Sequence, residues 1–131
     1  MNIYLDVDGT LLYKNKKIVK NLREFLEIAF SKGNVYWLST HCKENDNQAV
    51  LRHLKPFVSK VIMSLLKQIK STEWKTLKTE AINFNQPFLW FDDYLLLAEQ
   101  ELLKNKSVLD SWIKVDLKKT NIINYPSETL D

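Results

Sequence analysis

Residues 3–10 read IYLDVDGT and place two aspartates, Asp6 and Asp8, directly behind a short apolar run. The run has the composition of a buried β-strand, and Gly9 with Thr10 ends it. Residues two apart in a strand point to the same side, so both carboxylates can converge once the chain bends at Gly9. This stretch therefore predicts a strand whose carboxyl end presents a pair of acids.

Strand-like and helix-like segments alternate along the chain. The predicted strands are residues 2–7, 35–38, 57–63, 88–91 and 112–115. The predicted helices are residues 19–32, a short helix capped by Asn45 or Asp46 and stopped by Pro56, and the segments 72–83 and 94–105. Gly33 follows the first helix, at the position of a left-handed C-cap. The alternation predicts an α/β fold: a three-layer, Rossmann-like parallel sheet of about five strands with helices on both faces, in a single domain spanning residues 1–131.

The composition indicates an ordinary globular protein, with 45% hydrophobic and 27% charged residues. A formal net charge of +3 is too small to indicate nucleic-acid binding on its own. The single cysteine, Cys42, leaves no partner for an internal disulfide and suits a reducing compartment. The first residues do not resemble a secretory signal, and no apolar run reaches membrane-spanning length, so we expect a soluble cytoplasmic protein with no membrane partner.

Polar side chains follow three of the predicted strands: Asp6 and Asp8, Ser39 and Thr40, and Asp92 and Asp93. In open α/β sheets, ligands bind beyond the carboxyl ends of the strands, where these side chains would meet. Several carboxylates in one small volume require a cation, and hard oxygen ligands suit Mg²⁺. Such a metal screens an attacking carboxylate from an anionic phosphoryl group.

Four segments together resemble the sequence motifs of the haloacid dehalogenase superfamily. They are residues 6–12 for the first motif, residues 35–39 for the second, Lys75 or Lys78 for the third, and residues 88–93 for the fourth. The segments follow the order of the family and cover residues 1–93. Residues 36–40 and 87–93 also resemble a small capless branch associated with RNA-repair proteins. The resemblance implies a magnesium-dependent phosphohydrolase.

The resemblance also implies individual roles. Asp6 would attack phosphorus and form an aspartyl-phosphate, while Asp8 would protonate the leaving oxygen and then activate water. The backbone carbonyl of Asp8 would commonly hold the metal as well. Ser39 would hydrogen-bond a phosphoryl oxygen, and a lysine would neutralise charge on the nucleophile and the phosphoryl group.

The metal and the phosphate involve further residues under this resemblance. Asp93 would ligate Mg²⁺ beside Asp6 and Asp8, and Asp92 would orient the lysine or a metal-bound water. The remaining expected phosphate-binding residues are Gly9, Thr10, Thr40 and Lys78. If Thr40 replaces Ser39 as the phosphate ligand, the mechanism is unchanged.

The sequence also bears on the choice of lysine, on the two histidines and on a zinc site. Lys75 is favoured over Lys78 as the third-motif lysine, because Lys75 leaves a helix of reasonable length before Pro87. His41 follows the second motif and can line the site, whereas His53 is expected to pack or to lie on the surface of the second helix. A zinc site is not expected, since one cysteine and two histidines give no familiar ligand spacing.

The lengths of the connections predict an open site without a cap domain. Only residues 13–18 separate the first motif from the first helix, enough for a small flap that carries Lys14, Lys16 and Lys17. An open site suits macromolecular or nucleic-acid phosphate ends, and the flap lysines would recruit such a polyanion. The alternative is a catalytically idle binding module that docks a polyanionic partner, and phosphoryl transfer to an acceptor other than water also stays open.

Overall fold

The structure is a computed structural model and describes residues 1–124. Within this range the strands are β1 (Asn2–Leu5), β2 (Asn34–Trp37), β3 (Phe88–Asp92) and β4 (Trp112–Lys114). The α-helices of the same residues are α1 (Leu22–Lys32), α2 (Asn47–Leu54), α3 (Lys60–Leu66) and α4 (Leu97–Asn105). Short 3₁₀ turns cover Lys55–Phe57, Lys78–Ala81 and Leu109–Ser111. The predicted α/β class is confirmed.

All strand pairs of the sheet are parallel, and the strand order is β2-β1-β3-β4. From β1 the chain moves outward to β2, and from β3 it moves outward in the opposite direction to β4. The strand order therefore reverses between β1 and β3, which are hydrogen-bonded neighbours. This reversal creates the crevice in which open α/β sheets bind ligands.

Alternating side chains of the strands form two separate hydrophobic clusters, one on each face of the sheet. Ile3 and Leu5 of β1 belong to a cluster with buried residues of α1, α2 and α3. Tyr4 of β1 belongs to a second cluster with Trp90 of β3 and Leu103 of α4. Because strand residues alternate between faces, helices cover the sheet on both sides.

The prediction of a strand at residues 57–63 is wrong. The structure places α3 there, and the Ser59 side chain caps this helix by accepting a hydrogen bond from the Ile62 N–H at 3.2 Å. Ile62, Leu66 and Ile69 recur at helical spacing and pack against the first cluster. Beside β2, Lys70 alone forms a parallel bridge with Tyr36. Residues 1–124 thus contain four strands rather than about five.

The prediction of a helix at residues 72–83 is also wrong. Only the 3₁₀ turn Lys78–Ala81 is helical, although Trp74 and Ile82 are buried as the apolar pattern indicates. Hydrogen bonds to neighbouring segments replace the helical ones. The Thr72 hydroxyl donates to the Trp37 carbonyl at 2.6 Å, and the Trp74 indole donates to the Cys42 carbonyl at 3.2 Å.

Smaller differences concern the ends of helices. Gly33 closes α1, but its φ of 172° is extended rather than left-handed. A side chain at Gly33 would instead collide with the backbone carbonyl of Met1. Asp46 rather than Asn45 caps α2, by accepting a hydrogen bond from Ala49 N–H. Within the described residues, every helix is too short or too polar to cross a bilayer.

Candidate active site

Asp6 and Asp92 meet at the reversal point of the sheet, because they stand at the carboxyl ends of the neighbouring strands β1 and β3. Lys78 lies between them. Its Nζ donates to Asp6 Oδ1 at 3.1 Å and to Asp92 Oδ2 at 2.7 Å. The Lys78 side chain is 15% exposed, and those of Asp6 and Asp92 are 9% and 1% exposed. A largely buried, ion-paired triad thus occupies the crevice.

The structure selects Lys78, and not the favoured Lys75, as the lysine of this site. Lys75 is exposed, and its backbone N–H donates to the Glu80 carboxylate at 3.0 Å. The preference for Lys75 depends on a long helix that the chain does not form. Two acidic side chains instead hold the backbone of residues 75–78 through hydrogen bonds. Glu80 accepts the backbone N–H groups of residues 75–77, and the buried Glu99 accepts the Lys78 N–H at 2.9 Å.

Asp93 lies beside this triad. Asp6, Asp92 and Asp93 each offer one carboxylate oxygen, and these oxygens all lie within 4.8 Å of one another. Asp6 and Asp93 are therefore close enough to share one ion, as the sequence interpretation requires. Three carboxylates facing one ammonium group form a set of hard oxygen donors with excess negative charge, which fits a cation such as Mg²⁺.

Gly9 provides the space for Asp93. Its φ is +82°, in the left-handed region that favours glycine. A Cβ atom at this position would overlap the Asp93 carboxylate. Gly9 therefore allows both the turn behind β1 and the close approach of Asp93. The sequence, which contains two glycines, does not show this second role of Gly9.

Gly9→Ala is expected to displace Asp93 and weaken divalent-metal binding at least about ten-fold, a loss of about 1.4 kcal/mol in binding free energy. Adopting a positive φ with a side chain also costs roughly 1 kcal/mol of folding stability. Isothermal titration with Mg²⁺ and urea unfolding measure the two effects separately. An unchanged Mg²⁺ affinity would show that Asp93 does not need this space.

Electrostatics at the site follow from burial and crowding. Burial raises the pKa of Asp6, and the neighbouring Lys78 ammonium offsets this only in part. Burial and the adjacent Asp6 charge raise the pKa of Asp92 to about 6. Burial also raises the pKa of Asp93, with a further contribution from the hydrogen bond to Asp92. Burial alone would lower the pKa of Lys78, but the carboxylates of Asp6 and Asp92 outweigh it and raise that pKa.

The Asp8 side chain points to two histidines rather than to the other carboxylates. His41 Nε2 lies 2.8 Å from Asp8 Oδ2, and His53 Nε2 lies 3.0 Å from Asp8 Oδ1. Burial alone would raise the pKa of Asp8, but the hydrogen bonds from both imidazoles outweigh it and lower that pKa. Both carboxylate oxygens of Asp8 are therefore hydrogen-bonded to histidines at the edge of the crevice.

Sequence reasoning misses the role of His53, which it places in the packing or on the surface of the second helix. In the structure His53 stands in the last turn of α2 and contacts Asp8 across the strand ends. A sequence separation of 45 residues gives no local signal for this contact.

The other predicted phosphate ligands differ in accessibility. Thr40 is exposed and lines the main cleft with Asp6, Asp8 and Lys78. Ser39 is buried, and its hydroxyl oxygen accepts the His41 N–H at 3.1 Å. The Thr10 side chain is fully buried and, like that of Ser39, does not line the cleft.

Several open clefts border the carboxylates, and two of them bear on the site. The main cleft, of about 440 Å³, contains the buried triad and is walled by Trp74 and Tyr94. A second cleft, of about 300 Å³, is lined by Asp93 and Gly9. Lysines from three segments line the second cleft: Lys14, Lys114 and Lys118. Asp93 and Asp116 line this cleft as well. Of the three lysines predicted to serve the flap, Lys14 lines the cleft and Lys16 and Lys17 do not, so its lysines come together through the tertiary fold.

Comparisons of the chain with protein-family models, with curated proteins and with solved structures found no match.

Proposed function

We propose that this protein is a magnesium-dependent phosphohydrolase of the haloacid dehalogenase type that acts through an aspartyl-phosphate on Asp6. One observation carries the proposal. Asp6, Asp92 and Asp93 bring carboxylate oxygens within 4.8 Å of one another at the reversal point of a parallel sheet, and Lys78 is ion-paired to two of them. A carboxylate nucleophile needs this neighbouring positive charge to approach an anionic phosphoryl group.

Asp6, Asp93 and Asp92 are the side chains that would hold Mg²⁺, together with the backbone carbonyl of Asp8. When bound, the ion would supply Lewis-acid charge neutralisation to the phosphoryl oxygens. The carboxylate set fits this role because it is partly desolvated and carries more negative charge than Lys78 can balance.

The residues of the chain divide the reaction between them. Lys78 engages Oδ1 of Asp6, which leaves Oδ2 to attack phosphorus as the bond to the leaving oxygen breaks. A proton moves to that leaving oxygen through Asp8, whose carboxylate accepts the imidazole N–H groups of His41 and His53. In the second step Asp8 takes a proton from water, whose oxygen attacks phosphorus, and inorganic phosphate departs as Asp6 is released. Thr40 lies on the cleft wall, where it can donate to a phosphoryl oxygen.

The substrate that this site suits is a phosphate end on a large molecule. The cleft is open, and its wall includes Tyr94, whose surface is 66% exposed. The Lys43 ammonium lies 4.6 Å from the ring centroid of Trp74 on the same wall. The exposed Tyr94 ring can stack a base and the Lys43 ammonium can neutralise a phosphate, so a nucleic-acid end is the favoured class.

A screen for phosphate release tests the proposal. We expect turnover of a small aryl phosphate and of 3′- or 5′-phosphorylated oligonucleotides in Mg²⁺, and none after chelation. Binding of oligonucleotides without turnover under any metal condition would favour the alternative, an idle module that docks polyanions.

Mg²⁺ is expected to stabilise the fold, and more strongly above about pH 6 than below it. Asp92 has a raised pKa of about 6 when folded, so the metal-free fold binds a proton more tightly than the unfolded chain does. Its stabilising contribution is complete at low pH and is lost as the pH rises to about 6. Above that pH the ionised carboxylates bind Mg²⁺ without competition, and a free concentration of roughly one hundred times Kd adds about 2.7 kcal/mol.

Thermal unfolding with and without Mg²⁺ at about pH 5 and about pH 8 measures this difference. Asp93→Asn serves as the control, because it removes one carboxylate of the cluster and retains the volume of the side chain. Equal stabilisation of both proteins at both pH values would contradict metal binding at this cluster.

Replacement of Lys14, Lys114 and Lys118 by Ala is expected to lower kcat/KM for a phosphorylated oligonucleotide by about ten-fold or more. The three ammonium groups border the cleft beside Asp93, where the chain next to a terminal phosphate would pass. Turnover of a small aryl phosphate should change little, because that substrate does not extend into the second cleft.

The matched control replaces Lys16, Lys17 and Lys20, which are exposed but do not line this cleft. It removes the same amount of charge elsewhere on the surface. If both triple variants lose oligonucleotide turnover equally, net charge rather than the cleft attracts the substrate.

A further inference from the structure

Both histidines of the chain bind the same carboxylate. Asp8 comes from the turn behind β1, His41 from the loop behind β2, and His53 from the last turn of α2. One ligand atom from each lies within 4.8 Å of the other two. The three side chains are partly exposed, with His41 at 29%, His53 at 21% and Asp8 at 53%. A cation from solvent can therefore reach them.

This donor set differs in kind from the carboxylate cluster at Asp6, Asp92 and Asp93. Imidazole nitrogen binds Zn²⁺ and its transition-metal neighbours well, whereas Mg²⁺ prefers oxygen ligands. Two imidazoles and one carboxylate are also a set that holds Zn²⁺ in sites with an open fourth position. Cys42 and the two histidines give no familiar zinc spacing in the sequence, and Cys42 is buried. In the structure the third ligand beside the two histidines is Asp8.

We propose that Asp8, His41 and His53 form a second metal site, which takes Zn²⁺ in preference to Mg²⁺. In the metal-free arrangement the two imidazole Nε2–H groups donate to Asp8. To bind a metal through Nε2, each neutral ring must carry its proton on Nδ1 instead. The rings are stacked, with centroids 3.8 Å apart and planes 19° apart. Parallel rings cannot direct both Nε2 lone pairs at one point, so metal binding must turn one ring and separate the stack.

Occupancy of this site has a consequence for the reaction, and this part rests on the proposed function. Asp8 is the residue that would move a proton to the leaving oxygen and from water. A carboxylate bound to Zn²⁺ is a poor proton carrier, because the metal holds the oxygen that must accept the proton. Zn²⁺ should therefore inhibit turnover even when Mg²⁺ saturates the carboxylate cluster.

Imidazole nitrogen NMR tests the binding directly, without using activity. Because the chain has two histidines and both lie in the site, the side-chain ¹⁵N signals of His41 and His53 report on it alone. We expect one equivalent of Zn²⁺ to move the Nε2 resonances of both rings, and Mg²⁺ at far higher concentration to leave them in place. Signals that do not respond to Zn²⁺ would overturn the site.

Variants separate this site from the carboxylate cluster. His53→Ala and Asp8→Asn should each weaken Zn²⁺ binding, measured by competition with a chromogenic chelator, at least about ten-fold. Asp93→Asn removes a ligand of the other cluster and should leave the histidine response to Zn²⁺ intact. Unaltered Zn²⁺ affinity in both His53→Ala and Asp8→Asn would overturn the proposal, and comparison of the two guards against misfolding of either one.

Inhibition is measured at saturating Mg²⁺ in wild type and in His53→Ala. We expect the zinc concentration for half inhibition to rise at least about ten-fold in the variant. Equal inhibition of both proteins would place the inhibitory zinc at the carboxylate cluster and overturn the regulatory part. If neither protein hydrolyses phosphate, the proposed function fails, while the NMR result still decides whether the metal site exists.

Discussion

Asp6→Asn is expected to reduce phosphate release at least about a thousand-fold while the fold remains intact. The amide side chain has nearly the same shape as the carboxylate but cannot form the acyl-phosphate. Lys78 Nζ donates to Asp6 Oδ1 at 3.1 Å, and the amide oxygen of the substituted side chain can accept the same hydrogen bond. Loss of activity therefore reports on the nucleophile and not on a collapsed site.

Stability provides the second half of this test. Burial raises the pKa of Asp6, so ionised Asp6 destabilises the metal-free protein at neutral pH. Removal of that charge should leave the midpoint of urea unfolding unchanged or raise it. Mass spectrometry of acid-quenched wild type should detect a phosphate adduct that the variant lacks. Turnover retained by Asp6→Asn would exclude Asp6 as the nucleophile.

Lys78→Met is expected to abolish turnover and to destabilise the metal-free protein by about 3 kcal/mol near neutral pH. The substitution leaves Asp6 and Asp92 buried at 9% and 1% exposure without their shared cation. Breaking a buried ion pair on one side costs this much because the remaining charge is neither solvated nor neutralised. Urea unfolding in the presence of a chelator measures the loss.

Lys75→Met is the matched control, because Lys75 is three residues away and exposed. Its stability should stay within about 0.5 kcal/mol of wild type, and its turnover should not change. The two variants thus decide between the lysine favoured by sequence and the one selected by the structure. A larger effect at Lys75 would overturn the assignment of Lys78.

The loss of folding stability caused by Lys78→Met should become smaller as the pH falls. Without the ammonium group the pKa values of both buried carboxylates rise further above their ordinary values, since burial and mutual repulsion are no longer opposed. Protonation at low pH then removes the unpaired charge. A penalty that stays constant from about pH 8 to about pH 5 would mean that lost side-chain packing, rather than charge, causes the destabilisation.

The sequence alone predicts the α/β class, the strands that carry the acids and the meeting of Asp6 with Asp92 and Asp93. These features depend on local patterns: a short apolar run sets a strand, and the residue behind it stands at the edge of the sheet. Predicting that Asp6 and Asp92 meet requires only that their strands pair in parallel, and the alternation of strands and helices indicates such pairing.

Only the tertiary structure decides which lysine joins the site and where Asp8 points. Lys78 contacts Asp6, from which it is separated by 72 residues in the sequence. The segment that carries Lys78 is irregular, because its backbone N–H groups donate to the side chains of Glu80 and Glu99. Helical periodicity does not predict these contacts between side chains and the backbone. The pairing of His53 with Asp8 likewise joins residues far apart in the sequence. Local propensity can fix where a strand ends, but side chains on separate loops meet only through the packing of the whole fold, and that packing is not encoded in any short stretch.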